Sequence, residues 1–503
     1  MYAMNKLYWL SGLALCVPQE MLAQEKPNII FIITDQQRGD AIGCSGNERI
    51  ITPNIDALAH DGYYFSNAYS ATPSSTPARA GLLTGMSPWH HGMLGYGNVA
   101  EHYRYELPQM LSDCGYLTLG IGKMHWRPQN ALHGFDATIL DESGRVESPY
   151  FMSDYRKWFQ TVAPGKNPDE TGIGWNDHAA AEYKLPENLH PTVWTADVAV
   201  RTIEHYDGGK PLFLKVSFAR PHSPYDPPKR VLDKYKDIEM EAPAKGDWSK
   251  SIGADVTDPK AKPDAAFGQF GDEYAKNTIK HYYAAITFID EQVGRIVQAL
   301  KEKGMYDNTI ICFTSDHGDM MGDHYHWRKT YAYEGSAAIP YIVKFSKSMK
   351  TVKPVGSTIE NPVELRDFLP TFVDLAGGAV PADMDGKSLK TLVQEEKPEW
   401  RKWIDMEHAT CHSDHNYWCA LTDGKIKYIW FVHTGEEQLF DLVKDPKETK
   451  DVSKERKYRK QLEELRAAMV NHLSERGEEW VKDGKLVIRE KAQLYSPNYP
   501  KKN

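Results

Sequence analysis

Apolar runs punctuate the first three-quarters of the chain: NIIFIIT (28–34), YLTLGI (116–121), LFLKVSF (212–218), TIICFT (309–314) and PYIVKF (340–345). They largely lack polar alternation, so they predict central strands covered on both faces. Helical patterns lie between them, over Pro53–His60, Thr192–Tyr206 and Ile279–Lys303, the last stopped by Gly304. This alternation, from Lys26 to about Leu389, predicts an α/β fold with a doubly wound, mainly parallel sheet. After MDGKSL (384–389) the pattern changes to the short strands YWCALTD, IKYIWFV and EQLFDL, followed by a charged helix over about 457–474. The predicted organisation is a main domain at 24–390 and a smaller α+β domain at 391–503 carrying an antiparallel sheet. Residues 142–190 and 242–270 are rich in aromatics, Pro and Gly without clear period, and predict long excursions that shape a pocket.

Lys6 precedes the apolar run LYWLSGLALCV and then Pro18 and MLAQEKP, which predicts a secretory signal over 1–23 and a periplasmic or secreted protein. Cys16 sits where a lipoprotein cysteine would, but Leu15 is large where a small residue is expected. No later segment is apolar for long enough to span a bilayer, so stable membrane insertion is not expected. The net charge of −9 argues against a broad nucleic-acid surface and requires any anionic ligand to find a local basic pocket. Cys44, Cys114, Cys312, Cys411 and Cys419 lack metal-type spacing, and a Cys411–Cys419 bridge is left open.

Ligands of an open α/β sheet bind beyond the carboxyl ends of its strands. Here those ends carry Asp35-Gln36, Lys123 with His125, His222, and Asp316-His317. Asp35, Gln36 and Asp316 offer hard oxygens and His317 a nitrogen, a set that leans towards calcium. Arg79, Lys123, His125, His222 and Lys329 suit a tetrahedral oxyanion. In SSTPARAGLLTG (74–85), Thr76 can cap a helix, Pro77 suits its first position and Gly85 its stop. Ser75 then lies just outside a helix N-terminus, one turn from Arg79, in a place built for anions but with no base in the stretch.

Ser75 to Gly85 resembles the sulfatase signature, a Cys or Ser followed by x-Pro-x-Arg and ending in Thr-Gly. ITDQQRGD, GKMHW, RPHSPY, SDHGDMMGDH, WRKTYAYEGSAAIP, DFLPTFVDLAG, MDGKSL and QLFDLVKDPKE resemble further sulfatase blocks, in family order along nearly the whole chain. The resemblance implies the alkaline-phosphatase-like fold and a sulfuric ester hydrolase. It implies that Ser75 is oxidised to Cα-formylglycine, whose hydrate attacks sulfur with one hydroxyl and expels sulfate with the other. Serine rather than cysteine at this position implies a radical-type maturation enzyme and a bacterial source. The calcium ligands implied are Asp35, Gln36, Asp316, His317 and modified Ser75. Arg79 and Lys123 would hold the hydrate and the sulfate, His125 would assist proton release, His222 and Lys329 would contact sulfate, and His222 would protonate the leaving oxygen. Gln36 departs from the second Asp of many members and His317 from Asn.

The substrate expected is a sulfated saccharide of mucin or glycosaminoglycan type, cleaved at a terminal sugar. Sugar contacts are expected from His91, His178, His190, Glu407, His408, His412 and His415. The last four lie in EHATCHSDHNYW (407–418), a histidine-dense run read as a substrate-rim loop. A phosphodiesterase or phosphonate monoester hydrolase of the same superfamily would use almost the same residues, and a non-catalytic sulfated-glycan-binding protein would keep the pocket.

Overall fold

The apolar run at 28–34 forms β1 (Asn28–Asp35), in which successive side chains enter opposite cores. Ile29, Phe31 and Ile33 pack into one apolar cluster, Ile30 and Ile32 into another. All of them are fully buried, each contributing ~1.5–3 kcal/mol. The computed structural model describes residues 26–145, 148–249, 256–412 and 416–500. The expected leader with Cys16, and His415, lie outside the described residues.

β1 is an inner strand of an eight-stranded sheet. With β2 (Tyr63–Phe65), β3 (Leu117–Gly122), β4 (Ala137–Leu140), β5 (Leu212–Pro221), β6 (Thr309–Ser315), β7 (Tyr341–Lys344) and β8 (Thr358–Ile359), the order is β4-β3-β5-β1-β6-β7-β2-β8. The sheet is parallel apart from β7, which runs against both β6 and β2. Helices α1 (Pro53–His60), α3 (Pro191–His205) and α4 (Asp272–Glu302) cover the Ile30 face. Helices α2 (Ser75–Thr84) and α5 (Phe368–Leu375) cover the other.

Three helix starts differ from the sequence expectation. α4 begins at Asp272 rather than Ile279, because Gly271 turns the chain at φ 84 and Asp272 and Glu273 place negative charge in the first turn. α3 begins at Pro191, where the His190 ring accepts the Thr192 N–H as its cap. α2 begins at Ser75, not Pro77, with Ser74 as its N-cap residue. The capping expected of Thr76 is not made, since its hydroxyl accepts the Gly97 N–H while Ser74 bonds His408. Gly85 does end the helix, at φ 68. The 142–190 excursion also holds an unanticipated helix, Asp154–Val162, anchored by buried Tyr155 and Phe159.

Strands β9 (Ile404–His408), β10 (Trp418–Thr422), β11 (Ile426–Phe431) and β12 (Glu437–Asp441) form an antiparallel meander. One face packs on Leu465, Met469 and Leu473 of α6 (Arg459–Leu473). The other, with Met406, Trp418, Ile429 and Phe440, packs on Tyr69, Met320, Tyr331 and Tyr333 of the main body. This docking brings the 409–412 stretch to the rim of the large sheet. Leu392 and Val393 still pack in the first core, so the main body extends slightly past residue 390. Cys411 and Cys419 are free thiols, so the bridge left open by the sequence is not formed. No helix of the described residues is long and apolar enough to cross a membrane.

Candidate active site

Strands β1 and β6 are neighbours in parallel register, so their carboxyl ends deliver Asp35 and Asp316 side by side. The Gln36 N–H donates to Asp316 Oδ1 at 3.0 Å, tying the two turns together. Asp35, Asp316 and His317 each aim one atom at a common point, all within 4.8 Å of one another, and all three residues are fully buried. The His317 Nδ1–H donates to the Gly318 carbonyl, which leaves Nε2 as a lone pair. That lone pair lies 3.5 Å from Asp316 Oδ1, and Asp35 Oδ1 is buried without any donor. Electron-rich atoms do not crowd so closely in a dry interior, one of them without any donor, unless a cation completes them. Oxygen, oxygen and imidazole nitrogen fit a hard divalent ion.

Ser75 reaches this cluster from the first turn of α2, its hydroxyl donating to His317 Nε2 at 3.1 Å. Arg79, one turn on, is bound on every side. Its Nε donates to Asp316, Nη2 to Asp35, and Nη1 to the Lys123 carbonyl and the Ser217 hydroxyl. Burial opposes the Arg79 charge, but Asp316 and Asp35 outweigh it and raise its pKa. Lys123 Nζ adds a second cation, 2.8 Å from Asp35 Oδ2. Burial works to raise the Asp35 carboxyl, yet Lys123, His222, Lys329 and Arg79 together hold it well below the usual range. Lys123 is placed by Gly122, whose φ of 89 and close approach to the Ser217 carbonyl exclude any side chain.

The Gln36 amide is held at both ends. Its Oε1 accepts from Lys329 Nζ at 2.8 Å, while its Nε2 donates to Asp319 Oδ2 at 2.6 Å. The amide therefore joins the metal-facing cluster to Lys329. Burial, with Lys123 adding repulsion, lowers the Lys329 pKa to about 8 against the pull of Asp35. His125 and His222 are pushed well below their ordinary value, first by burial and then by Lys123 and Lys329 respectively. The His222 Nδ1–H donates to the Ser223 carbonyl, leaving Nε2 for a ligand. Gln36, His125, Arg328 and Thr330 all adopt positive φ, so backbone strain concentrates here.

Lys123, His125, His222 and Lys329 open into a pocket of about 180 Å³ above buried Ser75. That is below the ~300–1,000 Å³ usual for drug-sized ligands. Of the expected sugar contacts, His412 lines this pocket, and His408 stands behind it, its Nε2 accepting from the pocket-lining Ser74 hydroxyl. His91, His178, His190 and Glu407 do not line it. His91 and His190 spend Nδ1 on backbone N–H groups two residues on. His178 is enclosed by Phe270, Tyr274 and Trp327, and Glu407 is locked to Arg476 in a buried ion pair. Lining residues not anticipated are Tyr96, Arg145, Trp175, Asn176, Arg328 and Cys411. Arg328 stood beside Lys329 in WRK, and Trp175 lies in the aromatic excursion. Arg145 and Asn176 lie in the same excursion and Cys411 in the histidine-dense run, whereas nothing in the sequence distinguished Tyr96.

Residues 27–379 match the Sulfatase family, and residues 322–475 match the family described as N-sulphoglucosamine sulphohydrolase, C-terminal. An arylsulfatase of Clostridium perfringens is 39% identical over 480 residues, covering 92% of this chain and 97% of its own. An N-acetylglucosamine-6-O-sulfatase of Bacteroides thetaiotaomicron is 28% identical over 522 residues, covering 90% of this chain and 87% of its own. Among solved structures, the phosphonate monoester hydrolase of Agrobacterium radiobacter superposes with a TM-score of 0.76 at 25% identity, over 89% of this chain and 96% of that one. The fold is thus the alkaline-phosphatase-like one, and the chain belongs to the sulfatase family of sulfuric ester hydrolases.

Proposed function

We propose that this sulfatase removes O-sulfate from a terminal sugar of a sulfated glycan, using Ser75 oxidised to Cα-formylglycine and one calcium ion. The observation that carries this reading is the convergence of Asp35, Asp316 and His317, with the Ser75 hydroxyl on His317, beside a small, cation-lined pocket. The ion would be held by Asp35 Oδ1, Asp316 Oδ1, His317 Nε2, the amide oxygen of Gln36 and residue 75. The bound ion supplies Lewis-acid charge, and the formylglycine supplies a hydrated aldehyde as nucleophile.

The chain's own residues do the rest. Arg79, fixed by its partners, holds position 75 and balances Asp35 and Asp316. Lys123, Lys329 and His222 receive the sulfate oxygens and offset the charge that builds on them. His222 Nε2, the ring nitrogen not committed to Ser223, is placed to protonate the departing sugar oxygen. His125 stands beside Lys123 to take a proton from position 75. The pocket volume favours one sugar unit over a long polyanion, and the similarity to an N-acetylglucosamine-6-O-sulfatase favours an amino-sugar glycan. Serine at position 75 calls for a radical-type maturation enzyme, and the apolar N-terminal run supports export to the periplasm or beyond.

Protein made together with a radical-type maturation enzyme tests this. Peptide mass spectrometry should find formylglycine at position 75, and sulfate should be released from a panel of singly sulfated Gal, GalNAc and GlcNAc saccharides. Active protein carrying only serine, or faster turnover of an aryl phosphate diester than of an aryl sulfate, overturns the reading.

A further inference from the structure

The pocket carries more positive charge than one sulfate ester requires. Lys123, Arg145, Arg328 and Lys329 line it, and no described lining residue is acidic. Lys123 is paired with Asp35 and Arg145 with Glu142, at 2.8 and 2.9 Å. Lys329 leans on the neutral oxygen of Gln36 and is the cation left for the ester being cleaved. A sulfate monoester brings one negative charge, so Arg328 remains unmatched among the described residues.

Arg328 is an unusual residue to leave so. It is 6% exposed, and no ion pair to it exists among the described residues. Its Nη2 donates to the Asp264 carbonyl at 2.6 Å, and its Nε is buried with no hydrogen-bond partner among the described residues. Its backbone is held at φ 65 by Asp319 Oδ1, which accepts the Arg328 N–H at 3.0 Å. A strained backbone is thus fixed so as to hold a buried guanidinium, without a counter-charge among the described residues, at the wall of the pocket. Burying such a charge is costly unless an anion joins it. A planar fork of donors suits a carboxylate or a sulfo group. Trp175 and Asn176 line the same pocket and offer an apolar edge and a neutral polar group for the sugar between the two anions.

We propose that Arg328 forms a second anion subsite, which reads a carboxylate or a further sulfate ester on the substrate beside the sulfate that is cleaved. The identity of the cleaved group rests on the sulfatase reading above, whereas the subsite rests on Arg328 alone. The substrate class is then a dianionic saccharide: a uronate-bearing sulfated sugar or a doubly sulfated one.

The test compares three substrates, a neutral saccharide with one sulfate, the same with a carboxylate, and the same with a second sulfate. Wild-type enzyme should favour one dianionic substrate by about 10- to 100-fold in kcat/KM. Arg328→Gln should bring that ratio to within about 3-fold of unity, and Arg328→Lys should keep part of it, as a point charge without the fork. Which dianion wins distinguishes carboxylate from sulfate. Calorimetric binding to Ser75→Ala, which cannot turn over, reads the same preference without catalysis. A ratio that Arg328→Gln leaves unchanged, or the absence of any dianion preference in both kinetics and binding, overturns the subsite. Dianion-selective binding by Ser75→Ala with no sulfate released from any substrate by formylglycine-bearing enzyme would retain the subsite and sink the sulfatase reading.

Discussion

Glu407 gives the sharpest separation between a substrate contact and a structural residue. It sits on β9 in the histidine-dense run, yet both its oxygens are held by Arg476, at 2.6 and 2.8 Å, with side chains 5% and 1% exposed. Arg476 is clamped between Trp89 and Trp480, 4.5 and 4.7 Å from their ring centroids, so it cannot swing to another partner. Breaking a buried, hydrogen-bonded pair by removing one charge costs ~3–5 kcal/mol, because the other is left desolvated. At ~2–4 °C per kcal/mol for a domain of a few hundred residues, Glu407→Gln should lower Tm by ~6 °C or more. Arg476→Met should do the same, and the double variant should lose no more than either single one, since the second change removes the charge that the first left stranded. The assay is thermal unfolding of the four proteins, with kcat/KM on one sulfated saccharide measured below the transition. Catalysis should change less than about 3-fold in Glu407→Gln, because Glu407 does not line the pocket. Additive losses of Tm would refute the coupling. An unchanged Tm with a KM raised tenfold would show that Glu407 reads the sugar after all.

Other parts of the structure predict equally definite outcomes. Calcium at a hundredfold excess over its Kd should raise stability by ~2.7 kcal/mol relative to protein in chelator, and Asp316→Asn should abolish that increment in a thermal-shift assay. Equal melting with and without calcium in the wild type would contradict the metal site. Gly122→Ala should cost ~1–3 kcal/mol and displace Lys123, because a Cβ would meet the Ser217 carbonyl at 2.0 Å, so wild-type kcat with unchanged Tm would contradict it. His90 is raised to about 9, first by its hydrogen bond to Asp385 and then, against burial, by the Asp385 and Glu475 charges. A raised folded pKa stabilises below the unfolded value near 6.5 and is lost as pH climbs through 9. With about a third of the ring exposed, the contribution is ~1 kcal/mol after screening. The Tm gap between wild type and His90→Asn should be widest near pH 6 and close above pH 9, and a gap constant with pH would refute the pairing.

The candidate rim was legible because the chemistry of a parallel sheet is confined to one edge. Asp35, Lys123, His222 and Asp316 each stand at the end of a largely apolar strand, and polar residues there have no structural reason to be charged. Burial away from the rim was not legible. His91 and His190 look like ligands by composition, but each caps its own turn through Nδ1, a role that sequence does not distinguish from exposure. His178 is recognisable as a core histidine only once Phe270 and Trp327 are known to enclose it. The start of α2 was misplaced because capping rules assume a free hydroxyl, whereas Thr76 and Ser74 spend theirs on Gly97 and on His408 from the C-terminal domain. Long-range partners overrode local grammar. The same long reach, from residue 74 to residue 408, is what couples the C-terminal sheet to the pocket.

Gln36 shows how a departure from the family pattern can be balanced within one chain. Its Nε2 lies 2.6 Å from Asp319 Oδ2, which also accepts the Tyr225 hydroxyl. A carboxylate at position 36 would face that oxygen as a like charge in a dry interior, where repulsion is strongest. The amide instead donates towards Asp319 and presents its oxygen to Lys329. Turning the amide over would set an NH₂ against an ammonium and an oxygen against a carboxylate, so only one orientation satisfies both neighbours. The negative charge absent from position 36 thus stands one layer out, at Asp319, where it also accepts the Arg328 N–H. One carboxylate therefore orients the amide beside the Asp35–Asp316–His317 cluster and holds the backbone of the arginine at the pocket wall, so the two sides of the pocket are tied to the same residue.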